Sequence, residues 1–155
     1  MSLYVRSKVL FVGEPEVLER ITREVEENGE TISFGRILPL NGADPEEVWG
    51  VSGEAEETDR ILYRNGTHLE YSFDTEDRAP EAIYRALAER YPEPEMTVRY
   101  ASEDIGEECG IWEAGEGSGE AVFREPDDPF LFACEVWDRD PDEEMNERKI
   151  NFYEE

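Results

Sequence analysis

The sequence predicts an α+β fold, an antiparallel sheet carrying two packing helices. Three observations lead there: two proline-started segments with helical apolar spacing, strand-like runs on either side of each, and an Asn65–Gly66 dipeptide between two runs of period two. The 155 residues include 38% hydrophobic residues and seventeen aromatics. A single domain over residues 1–155 would remove roughly two thirds of its unfolded surface from water, enough for an ordinary core.

The elements follow in order. In "YVRSKVLFVG" residues 4–7 alternate apolar and polar and residues 9–12 are continuously apolar, the mark of a strand entering a core. Pro15 suits a first helical turn. In "PEVLERITREVEENG" Val17, Leu18, Ile21 and Val25 recur at helical spacing, Glu14 and Glu16 favour the amino end, and Asn28–Gly29 offers a left-handed stop. "TISFGRILPL" reads as the next strand, and residues 41–57 as a long, polar, irregular connection.

"RILYRNGTHLEYSF" carries the strongest local signal, because Asn-Gly is the favoured centre of a two-residue type I′ hairpin. That register sets Leu62 opposite Leu69, with Tyr71 and Phe73 continuing the apolar face. Pro80 then opens a helix with a stripe of Ile83, Leu87 and Tyr91, which "YPEPE" terminates. "MTVRY" begins another strand, "CGIWEAGEGSGEAVFRE" a second hairpin, and "FLFACEVW" a last strand before an acidic tail from Asp138. The two halves share an order: strand, helix from Pro15 and strand from Thr31 match strand 69–73, helix from Pro80 and strand from Met96. Two βαβ units with interleaved strands describe a ferredoxin-like α/β sandwich, extended here by hairpin strands.

Charge restricts function. Forty-one acidic residues against fifteen basic ones give a net charge of -26. The basic residues are two lysines, Lys8 and Lys149, and thirteen arginines scattered from Arg6 to Arg148, so no basic face is concentrated enough to track phosphates. Direct binding to nucleic acid or anionic lipid is not expected. The acidity fits a solvated or salt-adapted surface, attraction to a basic protein, or mimicry of a nucleic-acid backbone. No apolar run approaches the ~20 residues that span a bilayer, and "MSLYVRSKVLFVG" lacks the layout of a signal peptide, so a cytoplasmic location is expected. Cys109 and Cys134, 25 positions apart without a CxxC pair, read as buried thiols.

The stretch from Phe73 also carries a pattern: Phe73, Asp74, Thr75, Pro80, Tyr91, Pro92, Tyr100, Glu103 and Gly110, preceded by "WGVSGEA" from Trp49. Over residues 49–110 it resembles the YubB/Api92-like family of plasmid- and phage-associated proteins, whose motif reads approximately F-D-T-x-W-x-P-P. The resemblance implies a ferredoxin-like domain and a setting in mobile-element or phage biology, with no assigned reaction. Asp77 stands where the family has tryptophan, Ala79 where it has its first proline, and Gly53 where the upstream segment has a second tryptophan.

Catalytic signatures are missing. His68, the only histidine, follows a turn and has no sequence partner that would make it a general base. "GEGSG" at residues 115–119 lacks phosphate-loop spacing and lysine and is flanked by glutamates. "DRDPDEE" at residues 138–144 begins like a calcium loop, but Glu143 occupies the glycine position and Lys149 the bidentate position. No metal site or cofactor is expected. One acidic-aromatic cluster, Tyr100, Glu103 and Asp104 with Trp112 as a wall, could form a ligand or partner surface, with Glu107 and Glu108 adjoining. The preferred expectation is a non-enzymatic interaction domain that engages a basic protein through its acidic surface. The rivals are a ligand-binding or enzymatic pocket around Tyr100, Glu103 and Trp112, and a salt-adapted ordinary domain.

Overall fold

The computed structural model describes residues 3–29 and 31–154, with side chains up to residue 147. Along the chain lie β1 (Tyr4–Val12), α1 (Pro15–Val25), the two-residue strands β2 (Glu26–Glu27) and β3 (Thr31–Ile32), and the single helical turns α2 (Phe34–Ile37) and α3 (Pro45–Val48). Then come β4 (Glu56–Tyr63), β5 (His68–Glu76), α4 (Glu81–Arg90), β6 (Glu95–Ser102), β7 (Cys109–Ala114), β8 (Val122–Arg124), α5 (Pro129–Val136) and α6 (Pro141–Glu154).

Six strands form one antiparallel sheet in the order β4-β5-β1-β6-β7-β8. β1 is central, with Val9 opposite Tyr71 on one side and Val98 on the other. Both neighbours run against β1 and β4 runs against β5, so β1 and β4 are parallel to each other, as are β5 and β6. The class is the α+β arrangement that the sequence predicts.

Period-two burial of β1 sends Val5, Val9 and Phe11 into one cluster with Tyr71 and Phe73, Val98, Leu18 and Ile21 of α1, and Ile83 and Leu87 of α4. Each such side chain, fully buried, contributes about 1.5–3 kcal/mol. Ala101 and Ile111 alternate with Tyr100 and Trp112 along their strands, so they face the other way; there they pack with Phe132, Ala133 and Val136 of α5. Trp137 fastens this second layer by donating its Nε1–H to the Ala101 carbonyl at 2.9 Å.

Two expected strands are not strands. "TISFGRILPL" gives only Thr31–Ile32, paired with Glu26–Glu27 in a separate small sheet, before turning into α2. The Glu54 carboxylate accepts the backbone N–H groups of Phe34 at 2.7 Å and Gly35 at 3.0 Å, satisfying the orphan donors of a helical turn. The strand parallel to β1 is therefore β4. Asn28 (φ 58°) and Gly29 (φ 71°) form the turn of that small hairpin, since α1 already ends at Val25. "FLFACEVW" is helical because Asp128 accepts the Leu131 N–H and Pro129 pre-sets the first turn. A short, continuously apolar run fits a buried strand and a buried helix equally well. The acidic segment from Asp138 carries α6, whose entry is held by Asp142 N–H donating to Asp140 Oδ1 at 2.8 Å.

The Asn65–Gly66 hairpin keeps its expected register, Leu62 opposite Leu69, and Thr67 N–H donates to the Arg64 carbonyl across the turn. Leu69 is buried, whereas Leu62 on the outer strand is half exposed. The glycine-rich segment joins β7 to β8 as the second hairpin.

Candidate functional site

Tyr100 and Trp112 occupy neighbouring strands, with Val98 opposite Trp112 and Tyr100 opposite Gly110. Both point into the α1–α4 cluster. Tyr84 stacks near Tyr100 at 6.0 Å between ring centroids and lies 6.5 Å from Trp112, whose outer side meets Phe123 at 5.4 Å. Burial, then the nearby Glu81 and Glu108 carboxylates, pushes the Tyr100 hydroxyl well above its ordinary value. The Trp112 Nε1–H is buried with no hydrogen-bond partner among the described residues.

Glu103 and Asp104 have different duties. Glu103 closes the start of β1: its Oε1 accepts the Tyr4 N–H at 2.9 Å while its own N–H donates to the Tyr4 carbonyl at 2.8 Å. Asp104 is exposed, and its N–H donates to Ser102 Oγ at 3.1 Å. The structure thus puts the aromatic pair in the core and the two carboxylates at the end of β6. Gly110 lets the aromatics meet: a Cβ there would fall 2.9 Å from the Tyr100 ring and clash with Phe123.

Several carboxylates outside the predicted acidic-aromatic cluster hold structural bonds. Glu26 accepts from Tyr71 Oη at 2.6 Å and lies 3.5 Å from Arg60 Nε; Glu24 accepts from Tyr91 Oη at 2.8 Å. Asp74 holds the Arg6 guanidinium through two bonds of 2.8 and 3.1 Å, and the Trp137 ring lies 4.2 Å from that guanidinium. Tyrosines placed 45 and 67 residues from their acid partners leave no local pattern to read. His68 is half-buried at the base of the hairpin, 3.0 Å from Thr67 Oγ1 through Nδ1, with the Tyr63 ring 5.0 Å away. Cys109 and Cys134 lie in the α5 layer, Cys134 buried and Cys109 half-buried, and burial pushes the Cys109 thiol up.

Two concavities lie elsewhere. One of about 350 Å³, at the junction of β1 and α1, is ringed by Glu14, Glu93, Glu95 and Glu116. Arg20 engages Glu93 and holds its carboxyl below the usual range. The other, about 310 Å³, lies on the α5 side of the sheet beside β4 and includes Arg6, Lys8, Glu57, Asp59, Ile61 and Glu70. Its cations are already engaged, Arg6 by Asp74 and Lys8 by Asp138 at 3.6 Å. Glu57, Asp59 and Glu70 have no ion pair among the described residues. The cleft therefore keeps an unneutralised negative charge.

Among the described residues no group of three or more His, Cys, Asp or Glu side chains is arranged to hold a metal ion. No helix among them is long and apolar enough to cross a membrane. Comparison with protein-family models, with curated proteins and with solved structures returned no match.

Proposed function

We propose that this chain is a non-enzymatic protein-interaction domain whose acidic surface engages a basic protein, built on a ferredoxin-like core. The observation that carries the reading is where the negative charge lies. Of the 41 acidic residues, only Glu26 and Asp74 are buried among the described positions, so the net charge of -26 is directed outward. An outward field of that size repels phosphates and raises the encounter rate with cationic partners.

The ferredoxin-like reading draws support from the four strands β4-β5-β1-β6. One helix-bearing connection, through α1, joins parallel strands β1 and β4, and another, through α4, joins β5 and β6. α1 and α4 share one apolar cluster, which fits two helices on one face, with β7 and β8 as added strands and α5 on the reverse. A place among YubB/Api92-like proteins, with a mobile-element or phage setting, belongs to the same proposal and rests on the motif residues. Phe73, Thr75 and Tyr91 are buried, Asp74 is tied to Arg6, and Thr75 Oγ1 donates to the Arg78 carbonyl at 2.8 Å. The motif thus acts as scaffold, and no reaction is attached to it.

The test is affinity capture at low and at high salt, followed by competition with DNA for any protein recovered. The reading expects a basic protein retained at low salt, released as salt screens the charges and displaced by DNA when the two share a surface. An eluate with no basic protein enriched over a charge-matched acidic control would refute it.

A further inference from the structure

We propose that the free edge of β4 docks an extended, lysine- or arginine-bearing segment of another protein, which adds a strand to the sheet. The inference rests on the acidic-surface reading above and assigns that surface a place and a binding mode. β4 is terminal in the six-stranded sheet and, among the described residues, pairs with β5 alone, with β3 of the small hairpin close by. None of its eight residues is buried. An unpaired strand edge presents a row of backbone donors and acceptors, and this row is a template for a further strand.

Edges are ordinarily blunted by charged side chains, lysine above all, by proline, by bulges or by shortness. β4 is eight residues long, without lysine or proline, and its charged residues lie at positions 56–60, leaving residues 61–63 uncharged. A register irregularity between Glu56 and Asp59 disrupts only its first part. From Asp59 to Tyr63 the pairing with β5 is regular, and consecutive Ile61 and Leu62, each 50% exposed, offer one apolar side chain to each face. The Arg60–Glu26 contact fixes the strand from the side of the small hairpin, so the edge is held in place before any partner arrives. The opposite edge, β8, is a poorer template at three residues.

Charge selects the occupant. Glu56, Glu57 and Asp59 belong to the strand, and the cleft of about 310 Å³ beside Ile61 brings Glu70 next to Glu57 and Asp59. A cationic side chain on an added strand would meet Glu57, Asp59 and Glu70, none of them in an ion pair among the described residues, while its apolar neighbours cover Ile61 or Leu62. A second copy of this chain would bring the same glutamates and aspartate against themselves, within a pair already bearing -26 each. The acidic edge is thus closed to its own kind and open to a basic strand.

The full chain would be titrated with a short fluorescent peptide of alternating lysine and valine. A second peptide has every backbone amide N-methylated, which keeps charge and side chains but removes the strand-pairing donors of both edges. Docking at β4 expects the methylated peptide to bind about tenfold or more weakly, because main-chain hydrogen bonds carry the affinity of an added strand. Ile61→Lys, at an exposed site, should weaken the parent peptide similarly, and amide shifts should concentrate on residues 59–63. Equal binding of both peptides overturns the edge site and leaves the acidic-surface reading standing. Binding of neither, together with a capture experiment empty of basic protein, overturns both. Self-association through β4 in the absence of peptide would make a second copy the occupant and overturn the choice of partner.

Discussion

Single residues in this protein carry loads out of proportion to their size. Asp74 is 5% exposed and bonded twice to Arg6, whose guanidinium also lies over Trp137, so one side chain ties β5 to β1 and to the end of α5. Asp74→Ala strands a half-buried cation and should lower stability by about 1–3 kcal/mol, less than the loss of a partner from a fully buried pair because Arg6 remains partly hydrated. A shift in the urea midpoint at unchanged slope would report it. Gly110 is constrained by crowding, not by backbone angle. Gly110→Ala should cost about 1–3 kcal/mol through overpacking against Tyr100 and Phe123. Because Phe123 is 41% exposed, the double variant with Phe123→Ala should recover part of that loss, and a fully additive double variant would show that Tyr100 alone is responsible.

At the level of elements, α5 depends on its first turn. Asp128→Ala removes the side-chain acceptor for the Leu131 N–H and should cost about 0.5–2 kcal/mol, with lost protection of the Ala133 and Val136 amides in hydrogen exchange. This helix also shows where the sequence was hard to read. The run "FLFACEVW" buries Phe132, Ala133, Cys134 and Val136 almost continuously, and such burial erases the period that separates helix from strand. The β4–β5 hairpin was legible because Asn65–Gly66 fixes its register locally. The strand expected at Thr31 failed for a different reason. Phe34 and Ile37 turn back into the core at helical spacing because Glu54, twenty residues downstream, caps Phe34. For the candidate site, Tyr100 and Trp112 could be placed side by side from their strands. Sequence did not reveal that Glu103 bonds Tyr4, ninety-nine residues away.

Across the whole molecule, two collective properties follow from buried phenols and surplus acid. Burial raises the hydroxyls of Tyr71, Tyr84, Tyr91 and Tyr100 above their ordinary value. Their stabilising effect is complete below about pH 10, the unfolded value, and declines as pH rises toward the folded values, because only the unfolded chain then releases the protons. Alkaline unfolding should therefore begin near pH 10 and steepen. Phenolate absorbance for these four should appear together with loss of tertiary structure, and a gradual titration in the folded state would contradict it. The charge of -26 predicts the salt response. Raising ionic strength from about 0.1 M to about 1 M shortens screening from about 10 Å to about 3 Å, so the urea midpoint should climb. An unchanged midpoint would mean that self-repulsion contributes nothing measurable to stability.

The central position of β1 has a consequence for how the chain is made. β1 has neighbours on both flanks, and those neighbours, β5 and β6, follow it in the chain and begin only at His68 and Glu95. During synthesis Val5, Val9 and Phe11 must wait without their sheet, while the chain can close only local turns. β1 therefore stays incompletely paired until β6 has been made, and a nascent chain arrested before β6 would expose it to chaperones.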